Sequence, residues 1–91
     1  MIHVNDTGTL IQFDVGLDLT QATVKEVLFK KPDGTTGSWT ASLVGPMILG
    51  YITQIGDIDQ SGIWTIQPKV SIPDWSGTGD EVNLTVLRNL I

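Results

Sequence analysis

The amino-acid sequence predicts an all-β protein, an antiparallel sandwich or barrel of about six or seven short strands, on three observations. Apolar and polar residues alternate through most apolar segments, which is the period of a half-buried strand. Clusters of Gly, Pro, Asp and Asn separate these segments at intervals of about 8–12 residues. No segment keeps the helical period over several turns, and the nearest approach, residues 20–29, is rich in Thr and Val.

The size and composition of the chain fit a single domain, residues 1–91. With 41% apolar and 16% charged residues, the chain can form one modest core. It contains no cysteine, which excludes disulfide bonds, thiol chemistry and cysteine-bound zinc. A net charge of −5 with only five basic residues argues against nucleic-acid binding. The first residues lack the pattern of a signal peptide and no apolar run is long enough to span a bilayer, so we expect neither secretion by a signal peptide nor a membrane partner.

Two strands are predicted in the N-terminal third. Residues 9–15 alternate regularly, with Ile11, Phe13 and Val15 on one face. After a turn at 16–21, residues 22–31 are rich in β-branched and aromatic residues but alternate imperfectly. This pattern predicts a central strand, a bulge, or both.

A β-hairpin is predicted at residues 31–37. Pro32 presets φ at the second turn position, the Asp33 side chain can bond to nearby backbone, and Gly34 tolerates positive φ. The segment therefore stops the second strand and reverses the chain into the third.

The remaining strands follow from the same alternation. Pro68 lies within one of them and has no N–H for a ladder hydrogen bond, which predicts an irregular or edge position there. The polar, glycine-rich residues 73–81 are predicted to form a hairpin loop. The predicted strands are residues 38–44, 48–55, 63–72 and 82–87.

The segment GDIDQSGIW, residues 56–64, has two interpretations. Asp57, Asp59 and Ser61 have the spacing of ligands in a calcium loop, with Gly62 at its turn. The twelfth position of such a loop is Pro68 rather than the bidentate Glu of an EF-hand, and Asp, Ser and Gly also form ordinary tight turns. The three residues are therefore weak metal candidates, and no cofactor is predicted.

The second interpretation is a corner that leads into a core strand. In immunoglobulin-like folds, a late strand begins after a turn with a large aromatic residue whose polar atom bonds back to the corner. Trp64 would replace the usual Tyr here. This interpretation is favoured, and it makes the predicted fold an immunoglobulin-like antiparallel β-sandwich of about seven strands.

The tryptophans are predicted to have different roles. Trp39 and Trp64 fall on the inward face of their strands and are assigned to the core. Trp75 lies in the predicted loop 73–81, where it either covers one end of the sandwich or binds a sugar or a partner protein. The apolar C-terminus, with Leu90 and Ile91, is expected to dock on the core or on a neighbouring subunit, which makes a homo-oligomer an open alternative.

No catalytic arrangement is apparent in the sequence. The single histidine, His3, has no partner nucleophile, and the ten acidic residues lie mostly in turns. We therefore expect a protein that is not an enzyme.

Several motifs together resemble a group of small phage and prophage proteins. They are the opening Gly-Thr strand at Gly8, LTQAT at residues 19–23, KPDG at 31–34 and GDIDQSGIW at 56–64. The same layout is similar to the immunoglobulin-like N-terminal domain of phage baseplate upper proteins, from about Gly8 to Leu87. The resemblance implies a β-sandwich used in virion or tail architecture, and it supplies no catalytic residue.

Together these observations predict a non-enzymatic structural or assembly protein of a phage or prophage. It would be associated with the virion, tail or baseplate, or lie in the cytoplasm of the bacterial host. Its partners would be other phage structural proteins or further copies of itself. The alternative is a carbohydrate- or receptor-binding module that uses the Trp75 loop, with or without calcium at Asp57 and Asp59.

Overall fold

The computed structural model describes residues 2–73 and 75–88, and every regular element in this part of the chain is a β-strand. The all-β prediction is therefore confirmed. The described residues contain nine strands, where the sequence predicted about six or seven. In chain order they are β1 (Ile2–His3), β2 (Leu10–Asp14), β3 (Val24–Lys30), β4 (Thr36–Thr40), β5 (Ser42–Gly45), β6 (Ile48–Ile52), β7 (Gly62–Ile72), β8 (Trp75–Thr78) and β9 (Val82–Leu87).

The strands form two sheets. The larger sheet has the order β1-β9-β7-β3-β4, and β8 also pairs with β7. It is mixed, because β1 runs parallel to β9 while its other pairs are antiparallel. The smaller sheet has the order β2-β6-β5 and is antiparallel.

The predicted third strand is two strands. Residues 38–44 were expected to be continuous, but β4 belongs to the larger sheet and β5 to the smaller one. Ala41 lies at the crossing, is buried, and donates its N–H to the Lys25 carbonyl at 2.9 Å. Its side chain belongs to the hydrophobic core.

The prediction of a hairpin loop over residues 73–81 is wrong for residues 75–78. Trp75–Thr78 form β8, which pairs with the end of β7 from Ile72 opposite Trp75 to Lys69 opposite Thr78. Gly and Ser in this segment hide the alternation on which the prediction depended. β9 then pairs with the beginning of β7, and Pro68 lies between the two partners, where no ladder N–H is needed.

The hairpin at residues 31–37 is confirmed. The Lys31 N–H donates to the Thr35 carbonyl at 2.7 Å, and Gly34 has a φ of 92°. The Asp33 carboxylate accepts the Thr35 N–H at 2.9 Å, as expected of Asp in a turn. β3 pairs without a register shift on both of its edges, so it is a central strand without a bulge.

One hydrophobic core contains side chains from both sheets, and aromatic rings lie at its centre. Trp39 stacks on Phe29 of the same sheet, with centroids 4.6 Å apart, and on Tyr51 of the other sheet at 4.9 Å. Trp64 is fully buried, and its ring centroid lies 6.1 Å from that of Trp39. The assignment of Trp39 and Trp64 to the core is confirmed.

Candidate functional site

Residues 56–64 form a corner between β6 and β7. Gly62 has a φ of 127°, a conformation that a residue with a side chain rarely adopts. The Trp64 Nε1–H donates to the Gln60 carbonyl at 3.0 Å, so the indole bonds back to the corner from its buried position. The predicted tie between this tryptophan and the corner backbone is confirmed.

Asp57 closes the first half of the corner. Its carboxylate accepts hydrogen bonds from the Gln54 N–H at 2.7 Å and from the Tyr51 hydroxyl. Burial, together with the hydrogen bond to this carboxylate and its negative charge, raises the pKa of Tyr51 to about 12. The phenol therefore stays protonated and acts as a hydrogen-bond donor within the fold.

The second half of the corner packs on the 31–35 hairpin. The Lys31 ammonium forms an ion pair with Asp59 at 2.9 Å. The Gln60 side-chain amide donates to the Asp33 carboxylate at 2.8 Å. Hydrogen bonds to Asp33, first from the Thr35 backbone and then from side chains that include Gln60, lower the pKa of this carboxyl group.

Gly62 also contacts the hairpin. A Cβ atom at this position would lie 2.8 Å from the Cγ atom of Pro32, closer than real contacts allow. The two turn motifs, KPDG and GDIDQSGIW, thus form one joint in which an ion pair, a hydrogen bond and a glycine–proline contact meet.

The three metal candidates do not share a centre. Asp57 faces Tyr51 and the Gln54 backbone, whereas Asp59 faces Lys31. Ser61 lies half-buried between the corner and β7. Over residues 2–73 and 75–88, no group of three or more His, Cys, Asp or Glu side chains is arranged to hold a metal ion.

Trp75 is the first residue of β8 rather than a loop residue, which corrects the predicted placement. Its side chain is 42% exposed, and its ring lies over Gly77, where a Cβ would come within 3.0 Å of the indole. The indole therefore presents a partly accessible surface held on a strand. The other two interaction candidates, Leu90 and Ile91, lie outside the described residues.

An apolar patch on the smaller sheet was not predicted from the sequence. Leu10, Val44 and Ile52 point away from the core and are 42%, 49% and 54% exposed. Leu10 lies directly opposite Ile52, and the Val44 side chain leans over Gly50, where a Cβ would come within 2.8 Å of Val44 Cγ1. Their signal in the sequence is an apolar residue at the outward parity of each strand.

The outer face of the larger sheet has a shallow groove of about 480 Å³. Cross-strand pairs line it, with Glu26 opposite Lys69 and Leu28 opposite both Ser38 and Gln67. The lining thus combines charges of both signs, a hydroxyl and an amide around one apolar side chain. The groove lies on the face of the larger sheet opposite the core.

Comparison of the chain with protein-family models, with curated proteins and with solved structures gives no match. In the part of the chain that the structure describes, there is no helix long and apolar enough to cross a membrane.

Proposed function

We propose that this protein is a non-enzymatic structural or assembly protein of a phage or prophage that acts through protein–protein contacts in a virion, tail or baseplate. The observation that carries the proposal is the patch of Leu10, Val44 and Ile52 on the outer face of the smaller sheet. Adjacent apolar side chains at roughly half exposure lose contact with water when another protein covers them. The resemblance of the turn motifs at residues 31–34 and 56–64 to those of small phage and prophage proteins suggests the biological context.

We also propose that the two sheets form an immunoglobulin-like sandwich. The orders β9-β7-β3-β4 and β2-β6-β5 support this, since variable-type domains place strands G, F, C and C′ in one sheet and B, E and D in the other. The bond from Trp64 to Gln60 supports it as well, because it lies at the start of the F-equivalent strand, where immunoglobulin-like domains have a tyrosine corner.

The patch is suited to a protein surface. Gly50 lies beneath it, so that Val44 and Leu10 close over the sheet instead of leaving a pit. A partner of complementary shape would bury the three side chains, each worth about 1 kcal/mol at half burial. A few such residues at the centre of an interface commonly dominate its affinity.

The proposal is tested by analysing particles from the strain that carries the gene. We expect the protein in purified particles at a fixed ratio to a major structural protein, measured by quantitative mass spectrometry. A double variant, Leu10→Thr with Ile52→Thr, should fold and yet be incorporated at least about tenfold less. The matched control is Ile63→Thr, which removes a 61% exposed apolar residue from the larger sheet and should be incorporated like wild type. A protein absent from the particles and dispensable for their assembly would refute the proposal.

A second function is favoured by one observation, the partly exposed Trp75 on β8. An indole held over a glycine on a strand offers a face on which a sugar ring can stack. Under this alternative, saccharides should change the tryptophan fluorescence of the wild type and not of Trp75→Ala. A lack of response across neutral and charged saccharides would remove the alternative.

A further inference from the structure

β4 forms an edge of the larger sheet, with β3 on one side and no strand on the other among the described residues. The register shows which backbone groups face outward. Two hydrogen bonds at the ends of the strand fix this pattern: the Lys31 N–H donates to the Thr35 carbonyl, and the Ala41 N–H donates to the Lys25 carbonyl. Hydrogen-bonded and non-hydrogen-bonded pairs alternate along an antiparallel ladder, so the odd-numbered residues of β4 are hydrogen-bonded to β3. The even-numbered residues, Thr36, Ser38 and Thr40, therefore direct their N–H and C=O groups away from the sheet.

This edge lacks the features that keep sheet edges from pairing. The sequence of β4, TGSWT, contains no charged residue and no proline, and it pairs with β3 without a bulge. The edge strands of the smaller sheet differ, because β2 ends in Asp14 and β5 has a register shift between Leu43 and Gly45. Among these edges, β4 is the one that can accept another strand over its whole length.

The strand is complementary to itself when two copies run antiparallel around Ser38. Ser38 then faces Ser38 of the second copy, and Thr36 faces Thr40, in three hydrogen-bonded pairs that satisfy all the outward backbone groups with about six hydrogen bonds. Gly37 faces Trp39 of the second copy in the intervening closely spaced pairs. Both residues are on the core side of the sheet, where Phe29 already lies over Gly37, so the glycine avoids a clash between side chains at this position.

We propose that the partner at this edge is a second copy of the chain, and that two larger sheets join through β4 into one continuous sheet. The inference deepens the proposed function and rests on it in taking protein–protein contact as the role of the chain. Its surface is distinct from the Leu10, Val44 and Ile52 patch. Dimer formation by the purified protein and incorporation into particles are therefore separate measurements. A monomer that is incorporated would refute the dimer alone, and a dimer absent from particles would refute the phage role alone.

The register is tested by single cysteines, because the chain has none of its own. In the proposed dimer the two Ser38 Cα atoms lie about 5.5 Å apart, within disulfide range. The two Thr36 Cα atoms lie about 14 Å or more apart, which is beyond it. Under mild oxidation we expect Ser38→Cys to form at least tenfold more disulfide-linked dimer than Thr36→Cys, its control on the same strand and face. Equal cross-linking of the two variants, or none in either, would overturn the proposal.

The edge itself is tested by Ser38→Pro. Proline removes an N–H that points away from β3, so the fold keeps its own ladder while the dimer loses its two central hydrogen bonds. Wild type and Ser38→Ala should sediment as dimers and Ser38→Pro as a folded monomer, with folding checked by circular dichroism. The inference would be overturned by a wild type that is monomeric at several hundred micromolar, or by a Ser38→Pro variant that is as dimeric as the wild type. If the proline variant does not fold, the two cysteine variants decide the question.

Discussion

The bond between Trp64 and the corner is the contact whose energetic role can be measured most directly. Trp64→Phe keeps an aromatic ring in the core but removes the Nε1–H that bonds to Gln60 at 3.0 Å. The smaller ring loses roughly 40 Å² of buried apolar surface, worth about 1 kcal/mol. The lost hydrogen bond adds about 0.5–1.5 kcal/mol and the residual cavity about 0.5–1 kcal/mol. We therefore expect the free energy of unfolding to fall by about 2–3.5 kcal/mol, which lowers the melting temperature by about 8–28 °C.

Trp39→Phe is the matched control for this measurement. Trp39 is also a core residue and stacks on Phe29 and Tyr51, but its indole has no hydrogen bond within the described part of the chain. Its replacement should lower the free energy of unfolding by about 1.5–2 kcal/mol, from lost buried area and the residual cavity alone. Urea unfolding followed by far-ultraviolet circular dichroism gives both values without depending on tryptophan emission. If Trp64→Phe costs no more than Trp39→Phe, the tie to the corner does not stabilise the fold and the reasoning fails.

Three further predictions concern the same corner. Tyr51, the one tyrosine of the chain, has its pKa raised to about 12, so its ultraviolet absorbance should show little ionisation at pH 11. The stability that comes from this raised pKa is complete below the unfolded-state pKa of about 10 and is lost as the pH rises from there to about 12. Tyr51→Phe should remove this part of the pH dependence. Gly62→Ala should lower the free energy of unfolding, measured in urea, by about 2 kcal/mol or more. The new Cβ would lie 2.8 Å from the Pro32 Cγ atom, and the backbone conformation at this position is unfavourable for a residue other than glycine. A loss below about 0.5 kcal/mol would contradict this contact. Millimolar calcium should leave the melting temperature of the wild type unchanged, while Asp57→Ala with Asp59→Ala melts lower with or without the ion; a calcium-dependent rise of several degrees in the wild type alone would revive the calcium-loop interpretation.

The sequence was informative where a local pattern has a local cause. The 31–37 hairpin follows from the turn preferences of Pro, Asp and Gly, and each appears in the expected role. The inward positions of Trp39 and Trp64 follow from two-residue alternation. Both kinds of inference use neighbours within a few residues, and both were confirmed.

The sequence was misleading where secondary structure or exposure depends on which strand a segment pairs with. Residues 38–43 alternate without interruption, so nothing local shows that the chain leaves one sheet for the other at Ala41. β8 contains Ser76 and Gly77, which favour a loop by composition, but the preceding half of β7 supplies it with a pairing partner. The apolar patch was not predicted for the same reason, since Leu10 and Ile52 become neighbours only when β2 pairs with β6.

The two turn motifs gain their meaning only when they are taken together. Asp33 serves its own turn through one carboxylate oxygen and accepts Gln60, 27 residues later, through the other. Lys31 and Asp59 are similarly distant in the chain and pair across the same joint. Each motif alone is a common turn. The hairpin and the corner have groups that pair with each other: Lys31 with Asp59, Asp33 with Gln60, and Pro32 with Gly62. The joint also fixes the residue that precedes β4, since Thr35 is bonded within the hairpin that the corner holds. The hairpin sets the register between β3 and β4, and the corner packs on that hairpin through Asp59, Gln60 and Gly62.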